Sequence, residues 1–126
     1  MKLRHLFTIN LFFAAIFGLS CSLFPAWALR FYGLAPNAAA IWMTRSVGGS
    51  ILGFGTLMWF GRRTGSVDTR RAIALGLLVQ DVIGFIASLE IQIKGSVNAL
   101  GWSSPILYAL LSLGYAYFLL IRAADS

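Results

Sequence analysis

Reactive and charged side chains are scarce in this chain. Of its 126 residues only 11% are charged, one is cysteine, one is histidine and four are acidic. Each scarcity excludes a class of function. Cys21 alone builds no intrachain disulfide, no Cys-x-x-Cys redox pair and no thiolate metal site. In an apolar run such a residue acts as a small hydrophobe. His5 precedes the first apolar run, so no histidine inside a span is there to ligate haem or chlorophyll. No nucleophile–base pair or metal cluster can be assembled within the apolar runs, so an enzyme is not the expected class and no cofactor or metal is expected. The low charge also excludes an ordinary soluble domain. A body this small has a large surface-to-volume ratio, and 59% apolar residues cannot supply a polar surface for it.

What the chain does have is long apolar runs, at 6–24, 38–60, 72–93 and about 105–121. Runs of about 17–23 residues cross ~30 Å of hydrocarbon at 1.5 Å per residue. The sequence therefore predicts an all-α integral membrane four-helix bundle, a single domain over 1–126, with the lipid bilayer as its main partner. Asn37, after Pro36, is the predicted N-cap of the second helix, and Pro105 falls in the first turn of the fourth. Lys2, Arg4 and the Ala26-Trp27-Ala28 stretch resemble parts of a cleavable signal. The run between them is long for a signal's apolar core, so it is read as a true span.

The net charge of +6 reflects topology rather than nucleic-acid binding. Arg62, Arg63, Arg70 and Arg71 share the short segment 61–71, and no basic groove with stacking aromatics is visible, so no nucleic-acid partner is expected. With both termini inside, Lys2, Arg4, Arg62, Arg63, Arg70, Arg71 and Arg122 lie on the inner face, against Arg30 and Lys94 outside. That asymmetry predicts N-in/C-in in a cell inner (plasma) membrane. Trp27, Phe31, Tyr32 and Trp102 fall at the outer interface, and Trp59, Phe60 and Tyr117 at the inner one.

Small residues let lipid-embedded helices approach closely. Candidate packing positions are Gly18 (in a stripe with Asn10, Ala14 and Ser22), Gly49 and Gly53, and Gly84. The glycine-rich stretch 48–55 lies inside an apolar run and lacks the Lys-Ser/Thr ending of a phosphate loop.

Three charges interrupt the runs: Arg45 in the second, Asp81 and Glu90 in the third. Each costs about 2.5–3.5 kcal/mol on insertion scales, so such residues face a partner or a wet cavity. Counting along the helices puts Arg45 ~10 Å below the outer edge, Asp81 ~16 Å below it and Glu90 ~5 Å below it. Asp81 and Glu90 point to opposite faces, and Asp81 shares its face with Gly84, Ser88 and Gln92. An Arg45–Asp81 pair is expected, with Gln80 and Asn10 adding hydrogen bonds. Glu90 is expected to reach headgroups or Lys94, its i+4 neighbour. Such a set is a structural ion pair that fixes helix register, an ion or ligand site, or a partner-facing charge where Arg45 or Glu90 meets another subunit.

The layout resembles small four-helix bacterial membrane proteins of the DoxX-like type. The likeness rests on a first span, an outer segment from Phe24-Pro25 to Gly33-Leu34, Arg45-x-x-Gly48 with further glycines, a basic inner loop and a third span with a polar residue. The resemblance implies a fold more than an activity. Other four-span types fit less well. The first span lacks the carboxylate of a small multidrug transporter, and a thiol–quinone oxidoreductase needs paired cysteines. Small size and short loops point first to an accessory or structural subunit of a membrane assembly, paired with other membrane subunits or with copies of itself. An oligomeric ion or small-solute transporter using Arg45, Asp81 and Glu90 is the alternative. A lipid- or quinone-acting enzyme comes third.

Overall fold

The computed structural model describes residues 2–121, and all regular elements among them are helical. They are α1 (Leu3–Leu23), α2 (Pro25–Phe31), α3 (Ala38–Gly61), α4 (Val67–Ile93) and α5 (Ser103–Leu120), with a 3₁₀ turn at Ala99–Trp102 leading into α5. Three stretches are long and apolar enough to cross a membrane: Leu3–Leu23, Val67–Ile93 and Ala99–Leu120. At 24 residues α3 has the length, but Arg45 and its many glycines, serines and threonines dilute its apolar character.

Helix ends follow local chemistry. The Asn37 side chain accepts from Ala40 N at 2.9 Å, the cap expected from the sequence. Helix α4 begins five residues before the expected start at 72. Ser66 Oγ accepts from Thr69 N at 3.2 Å, and Asp68 sits in the first turn, where the helix dipole favours an acid. Arg70 and Arg71 are therefore helical rather than part of a loop. Helix α1 begins at Leu3 instead of 6, and His5 Nδ1 accepts the Lys2 N–H at 3.0 Å. Pro25, expected only to end the first span, also occupies the first turn of the short helix α2.

The long helices associate as two antiparallel pairs. Helix α1 packs chiefly on α3, and α4 on α5. On α1 and α3 the contacts run in opposite senses: Gly48 lies against Ser22, Gly55 against Leu11 and Gly61 against Phe7. Gly84 of α4 lies under the Tyr108 ring of α5. The two pairs meet in one apolar core at the end that holds the start of α1. Leu3, Phe7, Met58, Ala74, Leu77, Leu111, Tyr115 and Phe118 form it. At the opposite end the connecting segments are tied by Asn98. Its N–H donates to Tyr32 O at 3.0 Å, and its Nδ2 donates to Phe31 O at 3.0 Å. Between the packed core and this clasp the seam between the pairs stays partly open.

Candidate functional site

That opening is a cavity of about 80 Å³. Helix α1 presents Asn10, Phe13 and Phe17 to it, and α3 presents Phe54 and Met58. Gln80 and Asp81 come from α4, and Ser104 and Tyr108 from α5. Two helices supply the wall by an i, i+3, i+4, i+7 pattern, Asn10-Phe13-Ala14-Phe17 on α1 and Ser104-Leu107-Tyr108-Leu111 on α5. Side chains at that spacing stack on one helix face, so each helix offers a continuous strip.

Asp81 is the one formally charged residue lining the cavity. It is 2% exposed, and its Oδ2 has no hydrogen-bond partner among the described residues. Burying a carboxylate without compensation is among the costliest things a fold can do. Beneath it, Asn10 Nδ2 donates to Tyr115 Oη at 2.8 Å, and Tyr115 Oη donates to Met58 Sδ at 3.8 Å. This chain of hydrogen bonds crosses three helices and floors the cavity.

The expected Arg45–Asp81 pair is not formed. Arg45 is exposed on α3 and makes no ion pair or hydrogen bond among the described residues. The reason is helical phase. The face of α3 that packs carries Gly48, Ile51, Gly55 and Met58. At about 100° per residue, Arg45 stands roughly 60–140° round the axis from these positions. Gly49 and Gly53, also expected to pack, lie on the uncovered side, and a Cβ on either meets nothing within 4 Å. Gly18 and Gly84 do pack: a Cβ there would come within 2.7 Å of Leu52 and 2.6 Å of Tyr108.

The other expected residues separate by level. Asn10 and Gln80 line the cavity with Asp81. Ser88 Oγ donates back to Gly84 O at 2.7 Å on its own helix. Gln92 belongs to the clasp end, where its Nε2 donates to Asn98 O at 3.3 Å. Glu90 pairs with Lys94 at 2.8 Å, both exposed. The structure thus brings Asp81 together with Asn10 and Gln80, and parts it from Arg45 and Glu90. Sequence reasoning missed Ser104, the three phenylalanines and the Asn10–Tyr115 bond. The signal that leads to Ser104, Phe13 and Phe17 is the matched strip on α1 and α5; Phe54 stands on α3 outside it.

Arg62 and Arg63 lie over the Trp59 ring, at 4.1 and 4.5 Å from its centroid. This basic, aromatic cluster sits at the core end, as an interfacial anchor would. Comparison with family models, curated proteins and solved structures finds no match to this chain.

Proposed function

We propose that the chain is a four-span inner-membrane protein, N-in/C-in, that serves as an accessory or structural subunit of a membrane assembly. In this reading α3 is the second of four spans in a DoxX-like four-helix bundle, and its uncovered face meets a helix of another subunit. One observation carries the proposal. Arg45 stands exposed and unpartnered among the described residues, beside Gly49 and Gly53, on a face that the chain's own helices leave open.

The hydroxyls on this side are satisfied within the helix. Ser46, Ser50 and Thr56 each donate to the carbonyl four residues back, at 3.1, 3.1 and 3.0 Å. The guanidinium is the one formal charge on this face, and it has no partner among the described residues. A carboxylate or free carbonyls on a neighbouring helix satisfy it, and glycines let that helix approach closely. The transporter alternative draws less support from a single chain, where Arg45 and Glu90 do not line the cavity that holds Asp81.

The test is cysteine cross-linking in native membranes, with Cys21→Ala as background and Gly49→Cys as the probe. A discrete adduct is expected, lost when Arg45→Leu is added. The adduct's mass distinguishes a second copy of the chain from a different subunit. Uniformly uncross-linked chain, or an adduct indifferent to Arg45→Leu, overturns the proposal.

A further inference from the structure

We infer that the cavity around Asp81 is a binding site for a small ammonium ion, either ammonium itself or the cationic head of a small primary amine. The inference is independent of the subunit reading, since it concerns the interior of one chain. Three observations select the ligand class. The first is charge. Asp81 is almost wholly buried, lines the cavity, and leaves Oδ2 without a partner among the described residues. Among the described residues no Lys, Arg or His lines the cavity with it, so a cation that balances an ionised Asp81 would enter from solution. An ionisable residue held within a membrane-spanning helix marks a candidate ion or substrate site by default.

The second is the donor set. A divalent cation wants several carboxylates or six or more oxygens. No cluster of three or more metal-ligating His, Cys, Asp or Glu exists among the described residues. One carboxylate balances one monovalent cation. Asn10, Gln80, Ser104 and Tyr108 line the same cavity and carry amide and hydroxyl oxygens that can serve as neutral acceptors. An ammonium group carries several N–H donors and uses acceptors spread in this way.

The third is the aromatic wall. Phe13, Phe17 and Phe54 line the same cavity. Ring faces attract ammonium groups, most strongly when the site is dry. Size narrows the ligand further. About 80 Å³ is far below the roughly 300–1,000 Å³ of pockets for drug-sized ligands, so a quinone or lipid does not fit inside.

The experiment is thermal unfolding of the purified full chain in detergent, titrated with ammonium or methylammonium chloride. Sodium and tetramethylammonium chloride at matched ionic strength are the controls. A ligand that binds only the folded state raises Tm saturably. A saturable rise with ammonium, absent with sodium and tetramethylammonium, is expected; no rise with either ammonium or methylammonium overturns the inference. The isosteric variant Asp81→Asn should weaken the response at least about tenfold. A response confined to ammonium assigns the inorganic ion, and one shared with methylammonium assigns a primary amine. Equal rises with sodium and tetramethylammonium overturn the inference, as does an undiminished response in Asp81→Asn. Should Asp81→Asn fail to fold, Phe54→Leu decides. It keeps the carboxylate and should weaken the ammonium response about two- to fivefold, and an unchanged response overturns the aromatic contribution and the ligand class with it.

Discussion

Asn10 and Tyr115 lie 105 residues apart in sequence and share a buried 2.8 Å hydrogen bond between α1 and α5. Asn10 is 7% exposed and Tyr115 fully buried. The bond joins the two helix pairs directly beneath the Asp81 cavity. Tyr115→Phe keeps the ring and removes the acceptor, leaving the Asn10 amide buried without it. The expected loss is about 1–3 kcal/mol, the cost of a stranded buried donor. Thermal unfolding in detergent measures it. The double variant Asn10→Leu/Tyr115→Phe should recover part of that loss, since removing both partners is milder than removing one. A double variant no better than Tyr115→Phe would sink this account of the site's floor.

Gly48 and Gly49 are adjacent and predict opposite outcomes. A Cβ at Gly48 would stand 2.7 Å from the backbone N of Ser22 and 2.9 Å from Cys21 Cβ. Backbone cannot step aside as a flexible side chain does, so α1 and α3 must separate. Gly48→Ala should cost about 1–3 kcal/mol. A Cβ at Gly49 meets open space. Gly49→Ala should leave the isolated chain's stability unchanged or raise it by up to about 1 kcal/mol, from helix propensity. Side-by-side melting curves of the two variants in detergent test the helix phase on which the placement of Arg45 depends.

This pair of glycines also shows where the sequence stops being readable. Long apolar runs must become helices in hydrocarbon, because nothing else there satisfies the backbone. The cap at Asn37, the shared face of Asp81 and Gly84, and the Glu90–Lys94 spacing are local, and local chemistry is legible. The face that α3 turns inward is not local. Its glycines form two stripes, Gly48 with Gly55 and Gly49 with Gly53, equally small and both at spacings that keep to one helix face. Only the partner surface of α1, with Leu11, Gly18 and Ser22, selects the first stripe. Choosing the second places Arg45 inside, opposite Asp81. The Asn10–Tyr115 bond was hidden for a similar reason, since the two residues meet only once both helix pairs have assembled.

The clasp at Asn98 should govern access to the cavity end of the molecule. Its side chain donates to Phe31 O and accepts from Leu100 N at 3.1 Å, while its backbone N–H donates to Tyr32 O. Beside it Gly33 adopts φ 77°, a left-handed conformation that costs other residues strain. Asn98→Ala keeps the backbone bond but removes both side-chain bonds, a loss of about 0.5–1.5 kcal/mol for each. The two connecting segments should then open more often. Limited proteolysis is expected to cut faster within 31–37 and 94–98, with the helices still protected. Unchanged cleavage would show that the backbone bond alone holds the clasp.

Orientation follows from charge and is directly measurable. Arg62 and Arg63 stack on Trp59 at the core end, while Lys94 at the clasp end is already paired with Glu90. Arginines are thus concentrated at the core end, and under the proposed N-in/C-in topology the positive-inside bias places that end in the cytoplasm. Gly65 and Ser96 lie in the turns at the two ends, and both are exposed. A cysteine at either, in a Cys21→Ala background, reports its side through a membrane-impermeant maleimide. Ser96→Cys should label in intact cells, and Gly65→Cys only after the membrane is opened. The reverse pattern refutes N-in/C-in. Labelling of both residues in intact cells means that the helices between them do not cross an odd number of times. Because α4 is the only long helix between the two turns, that outcome would remove it as a span, and with it the placement of Asp81 at membrane depth.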